Sequence, residues 1–196
     1  MRRPVIILLS IGALIGALVG APSALAAATT TVVSLTFDDG YDTQFAAGPV
    51  LAQHGVNGTF FVNSGDLGTN RHLTWAQVDQ LAAAGNEIGG HTINHVDLTK
   101  VDATTAKREV CDDRTRLLNR GYAVTNFAYP YGHGYNDPAI QSIVQQCGYN
   151  SARAAWGIGD GVYAETIPPS DVWGIKSPSS AETTTLSQLG TVNTTV

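Results

Sequence analysis

The spacing of apolar positions switches repeatedly along the chain, and the switches mark alternating strands and helices. Residues 31–37 are β-branched and apolar and run into Asp38-Asp39-Gly40, a turn sequence. A helix is expected next, with Phe45, Val50 and Leu51 inward and Gly55 as its stop. Residues 58–63 read as a strand. Thr74-Trp75-Ala76-Gln77 forms a capping box, after which Trp75, Val78, Leu81 and Ala82 share one face and Gly85 ends the helix. A short strand over 87–90 leads to His91. Asp102 caps a long helix that runs to about Arg120 and stops at Gly121. Residues 124–129 form a strand. Asp137-Pro138 opens a helix whose Ile140, Ile143, Val144 and Cys147 keep helical spacing up to Gly148. Weaker strand signals lie at 149–153 and 172–176, separated by a long loop containing Gly and Pro.

Repeated strand–helix units imply parallel strands joined by right-handed crossovers. A barrel and an open sheet both satisfy this pattern. Asp38, Asp39, His91 and the segment 129–132 all fall at C-terminal ends of predicted strands, the edge where barrels gather catalytic groups. There is no internal repeat and no sign of a second domain.

The N-terminus reads differently. Arg2 and Arg3 precede an apolar stretch from Val5 to about Val19, followed by Ala24-Leu25-Ala26. This is the pattern of a cleaved signal peptide over 1–26, with a membrane anchor as the alternative. The expected domain is then 27–196, and the expected location is outside the cell, free or associated with the cell wall. No stable membrane insertion is expected after cleavage. Hydrophobic residues make up 43% of the 196 positions and charged residues 14%, enough apolar mass for one core. The net charge of -5, with no basic run beyond the N-terminus, argues against a nucleic-acid partner. In an exported chain the even pair Cys111 and Cys147 favours a disulfide, two buried thiols being the alternative.

Asp38 and Asp39 are adjacent carboxylates at a strand end. Alternation along a strand would aim them to opposite sides, one to bind metal and one to take a proton, although Asp-Asp-Gly is also good turn chemistry. His91 and His95 are four apart, which on a helical turn places both imidazoles on one face. With one carboxylate they would make a site with open positions for water and substrate. His54, at a helix end, and His72, before a cap, read as structural and surface residues. His133 follows Tyr131-Gly132 close to the presumed site.

Taken in order, Thr36-Phe37-Asp38-Asp39-Gly40, His91-Thr92-Ile93-Asn94-His95 and Tyr129-Pro130-Tyr131-Gly132 resemble the first three motifs of the polysaccharide deacetylases of carbohydrate esterase family 4. The resemblance covers roughly residue 31 to the end. It implies a distorted (β/α)7-type barrel and a divalent metal, zinc by default, on Asp39, His91 and His95. It implies Asp38 as general base and the Tyr131 backbone N–H as oxyanion donor. Pro130 and Trp173 would be substrate-facing, with a place in the core an equal reading for Trp173. The implied reaction removes acetyl groups from N-acetylated polysaccharide such as chitin or peptidoglycan glycan.

Three departures accompany the resemblance. The third motif usually opens with an arginine that braces the catalytic aspartate; Ala128 stands there, and Arg153 after the next strand is a stand-in by position, or else an ordinary surface arginine. Asp171-Val172-Trp173 matches the fourth motif loosely. No histidine follows Trp173, and 184–192 resembles only the start of the family's last helix, so the domain is expected to lack its last helix and strand and the histidine that acts as general acid. A catalytically incomplete carbohydrate-binding relic and an esterase of O-acetylated polymers are the alternatives. The long helix and the next one, packed side by side on a sheet, would bring Cys111 and Cys147 together as a disulfide.

Overall fold

The computed structural model describes residues 32–158 and 164–178. Six strands, β1 (Thr36–Phe37), β2 (Thr59–Val62), β3 (Glu87–Gly90), β4 (Asn126–Ala128), β5 (Ser151–Ile158) and β6 (Ile175–Pro178), pair in chain order, every neighbour parallel. Helices α1 (Ala47–Gln53), α2 (Trp75–Ala83), α3 (Ala103–Asn119) and α4 (Pro138–Gln146) cross over between the first five strands. Sequential order without a reversal point winds the sheet in one sense, which separates a curled (β/α) barrel from a doubly wound sheet. From Val33 onward these residues lie in one compact unit. The expected leader over 1–26 and the expected helix start over 184–192 lie outside the described residues.

Helix ends follow their capping residues closely. Thr74 accepts from the Gln77 N–H in a full capping box, and Asp102 accepts from Thr104 and Thr105. Asp137 caps α4 with Pro138 in its first turn. The core lies between sheet and helices, with Phe60, Val62, Val78, Leu81, Val110, Leu117, Phe127 and Val144 at its centre. Cys111 on α3 and Cys147 at the end of α4 are joined by the expected disulfide.

Strand ends and one helix depart from expectation. Only Thr36 and Phe37 of the first apolar run pair with β2; Val32, Val33 and Leu35 are exposed. Apolar β-branched residues lengthen a strand only where a neighbour extends beside them, and β2 begins at Thr59. The first helix opens as a 3-10 segment, Asp42–Ala46, which shifts its phase. Gly48 and Leu51 then face the core, and Val50 is 54% exposed rather than inward. β5 runs past Arg153 to Ile158 because β6 pairs along that extension, and β6 itself starts at Ile175 because Asp171–Trp173 forms a turn.

Candidate active site

The C-terminal ends of β1, β3 and β4 and the middle of β5 bring sequence-distant segments together. Strand register does the placing. Gly90 pairs with Phe127, and Ala128 pairs with Arg153, so the residues just after β3 lie level with the ends of β4 and the middle of β5.

Asp39 is held between two imidazoles. Its Oδ1 lies 3.2 Å from His91 Nε2 and 3.1 Å from His95 Nε2. His91 is buried, and its Nδ1 lies 2.7 Å from the Ala128 carbonyl oxygen. A carbonyl only accepts, so Nδ1 carries the proton there and the lone pair of a neutral ring sits on Nε2, facing the carboxylate. Two lone pairs facing at this distance require a proton or a cation between them. The hydrogen bonds with His91 and then His95 outweigh burial and hold the Asp39 carboxyl below the usual carboxylate range. The ligand atoms of Asp39, His91 and His95 all lie within 4.8 Å of one another, a donor set of one oxygen and two nitrogens suited to a borderline divalent cation.

Asp38 faces a different partner. Arg153 Nη2 donates to its Oδ1, and Arg153 Nη1 donates to the Ala154 carbonyl at 3.1 Å. The guanidinium lies over the Phe61 ring, 4.7 Å from its centroid, and its side chain is 12% exposed. Arg153 is therefore no ordinary surface arginine. It occupies the strand position paired with Ala128, one strand away from where the resemblance places an arginine.

The backbone reaches these places by unusual conformations. Asp39, Thr92, His95 and Tyr131 have φ values of 72°, 70°, 52° and 57°, and Arg71 is the fifth non-glycine residue at positive φ among the described residues. Left-handed backbone in non-glycine residues gathers at functional sites. It also corrects two sequence readings. Asp38 and Asp39 lie beyond β1, so a left-handed Asp39, not strand alternation, separates their directions. His91 and His95 are on a loop, not a helical turn, and two left-handed residues bring their rings to 4.9 Å.

Tyr131 is 52% exposed, and its ring lies 4.5 Å from the His95 ring. Pro130 is buried at the start of the short helical turn that carries Tyr131. Trp173 packs against the core instead of joining the cluster, and its carbonyl accepts from the Tyr129 hydroxyl at 2.9 Å. His133 pairs with Asp97 at 2.7 Å, and its ring lies 5.9 Å from that of Tyr131. His54 is exposed at the end of α1, and His72 stacks on Tyr41.

Some supporting residues escape sequence reading. Asn63 Nδ2 donates to the His91 carbonyl, and Gln44 Nε2 to the Asp38 carbonyl. The signal available for Asn63 was its place at the C-terminal end of β2. Behind the cluster Asp113 is fully buried, and burial pushes its carboxyl up to about 7 against the pull of backbone N–H donors.

With this geometry in view, comparison with known proteins is direct. The profile of the polysaccharide deacetylase family matches residues 26–152. A peptidoglycan-N-acetylglucosamine deacetylase of Bacillus cereus is 38% identical over 104 residues, 51% of this chain and 36% of that protein. A chitin deacetylase of Arthroderma benhamiae is 32% identical over 117 residues, 58% of this chain and 31% of that protein. Among solved structures, the Streptococcus pyogenes deacetylase PplD in complex with acetate aligns with a TM-score of 0.62 at 27% identity, over 67% of this chain and 59% of that one. The chain thus spans between about a third and a half of the length of the curated relatives it matches. The matched region holds all three motifs and the residues of the cluster except Arg153, which follows it directly, and the chain belongs to the polysaccharide deacetylase family.

Proposed function

We propose that the chain hydrolyses acetyl groups from an N-acetylated polysaccharide of the chitin or peptidoglycan type, using a divalent metal, zinc first among candidates. The observation that carries this reading is the convergence of Asp39 Oδ1 with His91 Nε2 and His95 Nε2 beside a second carboxylate, Asp38, that has its own arginine. Separations of 3.1 and 3.2 Å suit ligands of one ion with bonds of about 2.0–2.1 Å. Asp39, His91 and His95 would hold the metal, which when bound acidifies a water and polarises the acetyl carbonyl.

The chain's own groups supply the rest. Asp38, oriented by Arg153, takes the proton of the attacking water and can return it to the departing amine as the C–N bond breaks. The Ala128 carbonyl holds His91 in one tautomer, keeping Nε2 turned to the site. Tyr131, held at a φ of 57°, would offer its backbone N–H to the tetrahedral oxyanion. Arg153 is a positioning residue, acting through Asp38.

Acetate release from acetylated chito-oligosaccharide, with zinc quantified in the same sample, tests the proposal. Asp38→Asn is expected to lower turnover by about 10²–10⁴, the usual worth of a general base, with zinc still bound one to one. Arg153→Met is expected to lower turnover while zinc content holds. Undiminished turnover in Asp38→Asn, or release unaffected by a chelator, would refute the mechanism.

A further inference from the structure

Glu109 and Asp113 lie one turn apart on α3, among Ala106, Val110 and Leu117 on its buried face. They are 2% and 0% exposed. Carboxyls on such a stripe are costly unless their oxygens are hydrogen-bonded. All four oxygens here are engaged. Asp113 accepts the Ser64 N–H on Oδ1 at 3.0 Å and the His91 N–H on Oδ2 at 3.1 Å. Glu109 accepts the Asn94 N–H on Oε2 at 3.0 Å and Asn94 Nδ2 on Oε1 at 2.9 Å. The Ile93 N–H reaches the Glu109 backbone carbonyl at 3.2 Å.

The backbone N–H groups of His91, Ile93 and Asn94 therefore all end on one helix. The same loop holds Thr92 and His95 at φ values of 70° and 52°. Each such conformation is strained and persists only where the surroundings over-determine it. In its ionised form a carboxyl suits this task because both of its oxygens accept. An amide of the same shape offers one acceptor and turns an NH2 against a backbone N–H.

We infer that Glu109 and Asp113 are positioning residues that clamp the His91–His95 loop, holding both imidazoles at Asp39 and thereby setting the metal affinity of the cluster. The metal half of this inference rests on the proposed function; the clamp half does not. Asp113→Asn and Glu109→Gln are compared with wild type and with Val110→Ala, which thins the same buried stripe without removing a hydrogen bond. Zinc is titrated into each chelator-treated protein, melting temperatures are recorded, and amide hydrogen exchange is followed in the metal-free state. The two polar variants are expected to lose about 10–100-fold in zinc affinity. Their His91, Ile93 and Asn94 amides should exchange faster while those of β2 do not. Val110→Ala should lower the melting temperature with zinc affinity retained. Wild-type affinity and exchange in both polar variants would overturn the clamp, as would an equal loss of affinity in Val110→Ala. A wild-type chain that binds no zinc, with loop exchange still accelerated in the variants, would overturn the metal reading and leave the clamp standing.

Discussion

Ala128 and Arg153 face one another across the β4–β5 ladder, so moving an arginine by one strand keeps its reach to Asp38. At the same level, Gly89 and Gly90 serve a purpose different from flexibility. A Cβ on Gly89 would sit 2.4 Å from Phe61 Cδ1, and on Gly90 1.9 Å from the Tyr149 hydroxyl and 3.0 Å from Asp113 Oδ2. The groups that crowd them are the supports beneath the site. Tyr149 is buried and pinned by the core, so it cannot swing away. Gly90→Ala is therefore expected to destabilise the fold by about 1–3 kcal/mol, as overpacking does, measured by urea unfolding. An unchanged midpoint would contradict the packing. The motif residues Asp38, Asp39, His91, His95 and Tyr131 were legible because their types and order are distinctive. Asn63, Glu109 and Asp113 were not, because a single buried polar residue in an apolar pattern looks like an ordinary surface position until its partners are known.

Among elements, helices were more legible than strands. Caps are local: Thr74, Asp102 and Asp137 each satisfy N–H groups two or three residues away. Strand ends depend on how far the neighbour extends, which shortened β1 and lengthened β5. Contacts between helices were also hidden. Asp79 on α2 pairs with Arg120 Nη2 at 2.6 Å and accepts from the Tyr122 hydroxyl at 2.6 Å, joining α2 to the end of α3. The hydrogen bond to Arg120, and then that to Tyr122, hold the Asp79 carboxyl down to about 2. Since this value lies below that of the unfolded chain, the folded state binds fewer protons between about pH 4 and 2. The contribution is present above about pH 4 and disappears as pH falls through about 2. Asp79→Asn should be less stable than wild type at pH 7, with the gap closing by pH 2. The pair is exposed, so the gap is small. A gap that persists at pH 2 would assign the loss to something other than this carboxylate.

For the whole molecule, the leader pattern and the disulfide make one joint prediction. Material collected from outside an expressing cell should begin at Ala27 and carry Cys111 and Cys147 joined. Intact mass, with and without reduction before alkylation, checks both; an unprocessed N-terminus or two thiols alkylated without reduction would count against export and oxidation. The order of strand–helix units determined a parallel α/β fold, since hydrophobic period and capping chemistry act over a few residues. The motifs likewise determined the candidates for metal binding and for the base, because their chemistry is carried by residue type. Tertiary structure alone decided that the sheet winds in one sense, that Arg153 reaches Asp38 across 115 residues of sequence, and that α3 ties the histidine loop in place. Each of those depends on strand register and on left-handed backbone held by distant partners, and no local pattern of residues encodes which distant groups will meet.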